Sequence, residues 1–345
     1  MALAYRTAGL GRSSDPARSL VQALQHDLRQ LGYLQRSIDG VFSDGTRSAV
    51  RALQYDLLHN AGHSTAGDGD APVAITSYNR GVGSVTGVVD PALADSIEAL
   101  LADERVIKLP NHDDPAAANH AVMAAIAALR STEAPIPFLL AIIAQETGGR
   151  HYAVPPSTND SDNYLTIGLD RNGAADAVTS RGYGVAQYTL FHHPPRADEA
   201  AQVIADPAQN IAQATANLAD KFGHFVLGTA GADDRTAEHR LLPLRICRYA
   251  PTDPRYMTDC RTCAQQTTRI DIASTTPVYA GASQTYGEGH AYSETHYQGV
   301  PDRAGFLCDW PYAIRRYNGA GPNSFNYQAR ILLNLLAGPQ PSMEA

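Results

Sequence analysis

Residues 138–149 read FLLAIIAQETGG, and this stretch decides the fold class. A run that is apolar on nearly every side is a helix buried in a core, not one lying on a surface. Pro135 and Pro137 suit its entrance, where a missing N–H costs little, and Gly148 and Gly149 end it. Glu146 is its only acid. Burial penalises the ionised carboxylate, so an acid at the end of an apolar helix tends to keep its proton. Two roles are open to such a group: a helix-end carboxylate turned to water, or a general acid.

The chain has 345 residues, enough for two or three domains with cores of their own. A formal net charge of −8 argues against a nucleic-acid partner held by bulk electrostatics. No apolar run is long enough to cross a membrane, so no membrane partner is expected. The opening MALAYRTAGLGRSSDPARSL lacks the charged head and long apolar stretch of a secretory signal. Tyr, at 17 against 7 Phe, gives flat contact area with polar tips that suits sugars, although it is also common in loops. Cys247, Cys260, Cys263 and Cys308 all lie in the C-terminal third. CRTC at 260–263 suggests zinc, but a zinc ribbon needs a second such knuckle. Two disulfides, or one plus free thiols, fit better if the protein works outside the cytoplasm.

Residues 18–58 read as two helices around a turn. Leu20, Leu24, Leu28 and Leu31 fall at helical spacing, and Gly32 ends the first helix. Asp39-Gly40 and Asp44-Gly45 are turns, Thr46 is a candidate N-cap, and Ala49, Val50, Leu53 and Leu57 give a second stripe. A Gly-, Ser- and Asp-rich loop covers 59–85, and Asp90-Pro91 opens a third helix.

This pattern resembles the three-helix type of peptidoglycan-binding domain over about residues 16–103. The matching positions are Leu24-Gln25, Leu28, Gly32-Tyr33, Asp39-Gly40, Phe42, Gly45, Thr46, Ala49-Val50, Leu53-Gln54 and Gly87-Val88-Val89-Asp90. The loop at 59–85 departs from the family, which usually has a short connection there. The resemblance implies that Asp39, Gly40, Asp44, Thr46 and Arg47 border a groove for the peptide stem of murein.

Residues 104–118 read as a linker leading into a helix, and Asp206-Pro207 opens an amphipathic helix over 206–222. Residues 243–309 read as an irregular insertion of loops or short strands, and the chain then returns to helix, turn, helix.

Three spaced segments line up around Glu146. AIIAQETGG supplies the acid, SRGYGVAQYT (180–189) a Gly-rich turn, and Tyr317-Asn318-Gly319 follows a helix. In this order they resemble the lysozyme-like superfamily of lytic transglycosylases and goose-type lysozymes. Thr147 stands for the family's Ser, Gly184-Val185-Ala186-Gln187 for its Gly-Leu-Met-Gln element, and Asn210-Ile211 also fits. The resemblance covers about 119–340, with insertions at 151–180 and 224–309. It implies Glu146 as the proton donor, and Tyr183, Gln187, Tyr317 and Asn318 as substrate-binding residues.

The chemistry asks for such a donor, because a glycosidic oxygen leaves only when protonated and the acid must hold its proton near neutral pH. Hydrolysis usually takes a second carboxylate. Thr189 occupies the slot after the Gln motif where some goose-type enzymes carry an Asp, which leaves the loop residues Asp160, Asp162, Asp170 and Asp176 as candidates. A transglycosylase needs none, since the sugar's own 6-hydroxyl attacks, and the balance leans slightly to that product.

His192, His193, His290, Glu294 and His296 could suit a metal-dependent amidase, but their spacing fits no recognised zinc site. No metal and no cofactor are expected. The expected protein is mainly α: a three-helix peptidoglycan-binding bundle, then a lysozyme-like α-helical domain with a loop and short-strand insertion. It would cleave the β-1,4 bond between N-acetylmuramic acid and N-acetylglucosamine. Lacking a signal, it would reach the wall with a holin, as an endolysin, or through a secretion machine, as a toxin countered by an immunity protein. The alternatives are an inactive wall-binding or phage-tail protein and a metal-dependent wall amidase or peptidase.

Overall fold

In α1 (Arg18–Gln30) Val21, Leu24, Gln25 and Leu28 recur at helical spacing and are all buried. Leu31 and Gly32 end it, Gly32 in the left-handed region at φ 76°. α2 (Asp44–His59) buries Ala49, Val50, Leu53 and Leu57 against it. Its N-cap is Ser43, so Thr46 is not the cap the sequence suggested. Thr46 is instead buried inside the first turn. α3 (Pro91–Ala102) starts as expected, with Pro91 in the first turn and Asp90 accepting from the Leu93 N–H at 2.8 Å.

The computed structural model describes residues 3–11, 16–35, 38–109, 115–128, 133–152, 165–169, 176–227, 245–261, 307–318 and 323–338. The protein is mainly helical with one small sheet. α4 (Pro115–Ala128) and α5 (Ile136–Thr147) follow the bundle. Pro135 is the N-cap of α5, and Gly148, at φ 64°, terminates it. α6 (Ala197–Glu199) runs on as a π turn to Ile204, and α7 (Pro207–Lys221) is followed by α8 (Trp310–Tyr317) and α9 (Asn323–Ala337). Asp206 caps α7 by accepting from the Ala208 N–H at 2.8 Å.

The sheet is antiparallel in the order β1 (Leu165–Leu169), β2 (Val178–Tyr183), β3 (Tyr188–Leu190). Leu165 faces Tyr183 across the first ladder, and Arg181 faces Leu190 across the second. Of the 243–309 segment, read from sequence as loops or short strands, residues 245–261 and 307–309 are described and hold turns and bends; the strands of the sheet fall at 165–190. The β-branched and aromatic residues of VTSRGY and YTL, joined by the Gly184 turn, explain why.

The chain divides into two compact units: residues 1–124 with 150–210, and 125–149 with 211–345. This division cuts through 119–340, the span read from sequence as one domain. In the first unit the bundle core gathers Leu24, Leu28, Leu53, Leu57, Ile97 and Leu100. Val106 and Leu109, in the segment read as linker, are buried, and the Leu109 N–H donates to the Gln30 carbonyl at 2.8 Å. Arg181 of β2 is buried in the same unit. It donates to the Gly32 carbonyl at 2.9 Å and to Asp56 Oδ2 at 3.3 Å, while the Tyr33 hydroxyl donates to that same oxygen at 2.7 Å. The second unit packs Phe138, Ile142, Leu218, Trp310, Ile314 and Ile331 together, with Phe222 stacked on Trp310 at 4.2 Å. Cys247, Cys260 and Cys308 border this core; Cys263 lies outside the described residues.

Candidate functional site

In the bundle, the Asp39-Gly40 turn is held from beneath by Gln25. The Gln25 amide donates to Asp39 Oδ1 at 2.8 Å, to the Val41 carbonyl at 3.2 Å and to Thr46 Oγ1 at 3.0 Å. Its oxygen accepts from the Gly40 N–H at 2.8 Å. Gly40 sits at φ 74°, and a Cβ there would lie 2.2 Å from Arg18 Cγ, so only glycine fits. Gly40 and Thr46 are therefore buried parts of the turn. Asp39 and Asp44 are exposed, Arg47 is half-buried, and Val41 projects with 56% of its surface exposed. The turn thus presents carboxylates and an apolar side chain to solvent, with Arg47 close by in the next turn of α2.

Gln54 of α2 repeats this arrangement on the 86–88 segment. Its oxygen accepts from the Thr86 and Gly87 N–H groups at 2.9 and 2.8 Å, and its amide donates to the Val88 carbonyl at 3.0 Å. Sequence reasoning missed both glutamines as braces. Both glutamines lie on the buried stripes of their helices, where a polar residue among apolar neighbours was the available signal.

In the same unit, the Gly184–Gln187 turn joins β2 to β3 and is clamped by buried polar side chains. The Val185 N–H donates to His151 Nδ1 at 3.1 Å, and the Ala186 N–H to Asn210 Oδ1 at 2.9 Å. His151 Nε2 lies 2.7 Å from the Ile204 carbonyl, so it carries the ring proton. Asn210 donates to the Tyr183 and Val203 carbonyls at 3.0 and 2.9 Å. Asn119 accepts from the His151 and Tyr152 N–H groups, each at 2.9 Å. A Cβ on Gly184 would lie 2.5 Å from His151 Cε1. Tyr183 packs its ring fully inside the core. Gln187, at φ 55°, donates its amide back to the Gly184 carbonyl at 3.0 Å. His151 and Asn119 carry no family motif in the sequence, and only the fold reveals their role.

Glu146 and Tyr317 come together in the second unit, joined by a residue the sequence did not flag. The Tyr327 hydroxyl, from α9, donates to Glu146 Oε1 at 2.6 Å. The Tyr317 and Tyr327 rings lie parallel, 6.5 Å apart. Burial pushes the Glu146 carboxyl above its ordinary range, and the Tyr327 hydrogen bond only partly offsets this. Burial and the Glu146 charge push both tyrosine hydroxyls upward, so each remains a hydrogen-bond donor. Asn318, at the C-cap of α8, is exposed. Thr147 is buried and turns its hydroxyl to the Ile143 carbonyl at 3.5 Å. Gly319 lies outside the described residues.

A cavity of about 560 Å³ borders another face of α5, lined by Pro137, Leu140, Ala141, Ala144, Asn334 and Leu335 among others. Glu146 is not among its lining residues: two positions beyond Ala144, it leaves the helix on another side.

Of the loop aspartates, Asp176 is bound bidentately by Arg51 at 2.8 and 2.6 Å, while Asp160, Asp162 and Asp170 lie outside the described residues. So do His290, Glu294 and His296. His192 is sandwiched between two carboxylates, with Glu199 Oε2 2.9 Å from Nε2 and Asp68 Oδ2 3.3 Å from Nδ1. These approach opposite edges of the ring and share no common point. Among the described residues, no three His, Cys, Asp or Glu side chains are placed to hold a metal. Burial pushes His193 well below its ordinary range, so it is neutral.

Among the described residues, no helix is long and apolar enough to cross a membrane. No curated protein and no solved structure matches the chain. Residues 17–57, which hold α1, the Asp39-Gly40 turn and most of α2, match the family model of the peptidoglycan binding domain, and this match supports peptidoglycan as a partner and an association with the cell wall.

Proposed function

We propose that the protein is a peptidoglycan-degrading glycosidase that uses Glu146 as its proton donor. The observation that carries this reading is the hydrogen bond from Tyr327 to Glu146 Oε1 on a carboxyl that burial raises. A general acid needs a carboxyl protonated near neutral pH. Because Oε1 already accepts from Tyr327, the acidic proton belongs on Oε2, free to pass to the glycosidic oxygen. The carboxylate left behind keeps the Tyr327 bond, which steadies its charge until a proton returns. In a transglycosylase that proton comes from the sugar's 6-hydroxyl as it closes on the anomeric carbon. In a muramidase it comes from water. The Asn210 clamp on the Gly184–Gln187 turn supports the resemblance further, since it ties two of the lysozyme-like motifs together physically.

Digestion of purified sacculi by the wild type and by Glu146→Gln tests the proposal. Soluble muropeptides from the wild type alone are expected, and equal release by both proteins overturns the assignment. A second reading, a wall-binding protein without catalysis, draws support from Gln187 bonding to its own turn and from the buried Tyr183 ring. It predicts binding to sacculi with no soluble product from either protein. Release by holin or delivery as an antibacterial effector belongs to the same proposal. A holin or immunity gene next to this one distinguishes the two.

A further inference from the structure

Both departures from the family patterns meet each other in the first unit. The 59–85 loop is an addition to the peptidoglycan-binding pattern, and residues 151–180 are an addition to the lysozyme-like one. The Thr65 N–H donates to the Phe191 carbonyl at 2.9 Å, and its hydroxyl to the Thr179 carbonyl at 2.8 Å. Asp68 accepts from the Phe191 N–H at 2.9 Å. On the other side, Arg51 of α2 grips Asp176 through two parallel hydrogen bonds, the strong geometry for a guanidinium and a carboxylate. The buried Arg181–Asp56 pair ties β2 to the same helix. The loop and α2 therefore hold β2, the residue after β3, and the chain entering β2. The Gly184–Gln187 turn hangs between these two strands.

We propose that the peptidoglycan-binding bundle is the scaffold that positions the Gly184–Gln187 turn, so that gripping the wall and presenting the turn to the glycan are done by one structural unit. This rests on the glycosidase reading for what the turn contacts. A tethered anchor would act only by raising the local concentration of substrate, and its internal contacts would not affect cleavage of a soluble fragment. A shared scaffold makes the opposite prediction: loosening the bundle from the strands slows cleavage even when no wall is present. In this scheme Arg51 and Asp176 are positioning residues, acting on the turn through β2.

The test uses the full chain with Asp176→Asn, Arg51→Lys and the swap Arg51→Glu with Asp176→Arg. Asn and Lys keep size or charge but lose the paired geometry, and both are expected to fold. On soluble glycan fragments kcat is expected to fall about tenfold in each single variant, the rate equivalent of the coupling between contacting charged groups. The swap is expected to recover most of it, because it restores the pair with its charges reversed. Hydrogen exchange gives a readout independent of activity. The Val185 and Ala186 amides are expected to exchange about tenfold faster in Asp176→Asn, through local opening of the turn. Unchanged kcat on soluble fragments together with unchanged exchange at these amides overturns the shared scaffold. A wild type that cleaves nothing overturns the glycosidase reading instead, and the exchange measurement still decides the scaffold.

Discussion

The Tyr327 hydroxyl donates to Glu146 Oε1 across 2.6 Å, although 181 positions separate the two residues. Two helices, α5 and α9, bring together a half-buried acid and a buried phenol whose hydroxyl stays protonated. Burial raises the acid and the hydrogen bond lowers it, and burial is the larger effect. That balance leads to the first two predictions.

Glu146→Gln is expected to reduce sacculus lysis by at least about a thousandfold, because proton donation and charge stabilisation are lost together. The same variant gives a stability signature. A carboxyl whose folded pKa lies above its unfolded value favours the fold fully only below the unfolded pKa, and loses that contribution as pH rises through the folded one. Glu146→Gln should therefore melt at a higher temperature than the wild type at pH 8, with the gap closing near pH 4, about the ordinary glutamate range. Thermal melts at both pH values check the sign, and a gap that widens on acidification contradicts it.

Tyr327→Phe removes the hydrogen bond that partly offsets burial and lowers the Glu146 carboxyl. The carboxyl should rise further, so the alkaline limb of the pH–rate profile should move to higher pH. At the optimum the rate should fall roughly 10- to 100-fold, the equivalent of one hydrogen bond to a charged group. A pH–kcat profile on soluble glycan measures both effects. A limb that moves to lower pH is the result that breaks the argument.

Gln25→Ala strips the buried brace from the Asp39-Gly40 turn and leaves the Gly40 N–H without its acceptor. Such a loss costs about 2–4 kcal/mol when several buried groups are left unmatched. Urea unfolding should show it, and a pull-down with sacculi should show weaker binding at temperatures where the rest of the protein is folded. Full stability in Gln25→Ala would mean that the turn is held by other contacts.

Products from sacculi are expected to carry 1,6-anhydromuramic ends, lighter than hydrolysed ends by one water. The proposed resemblance puts Thr189 where a second carboxylate would stand, and the Thr189 hydroxyl donates to the Gln187 carbonyl at 3.1 Å. Asp176, a candidate for the missing acid, is already committed to Arg51. Mass spectrometry of the released muropeptides decides it. Reducing ends would mark a muramidase and send the search to Asp160, Asp162 and Asp170, by substitution with Asn.

The sequence by itself determined the local structure. Apolar residues at helical spacing placed α1, α2 and α3, glycines in the left-handed region ended α1 and α5, and Asp90 and Asp206 capped α3 and α7. These are interactions between residues a few positions apart, so a single window of sequence contains them. It also isolated Glu146, because one acid in an apolar helix is a local anomaly. Only the tertiary structure decided what surrounds these elements. The pairings of Tyr327 with Glu146, His151 and Asn210 with the Gly184 turn, and Arg181 with Tyr33 join residues 24 to 181 positions apart, whether or not the sequence had singled them out. Their energies come from burial and hydrogen-bond geometry, which exist only once the chain has closed on itself. The division into units has the same cause. Sequence order placed β2 and β3 with the C-terminal domain, whereas the buried Arg181–Asp56 pair, the half-exposed Arg51–Asp176 pair and contacts from the 59–85 loop tie β2 and its flanks to the bundle.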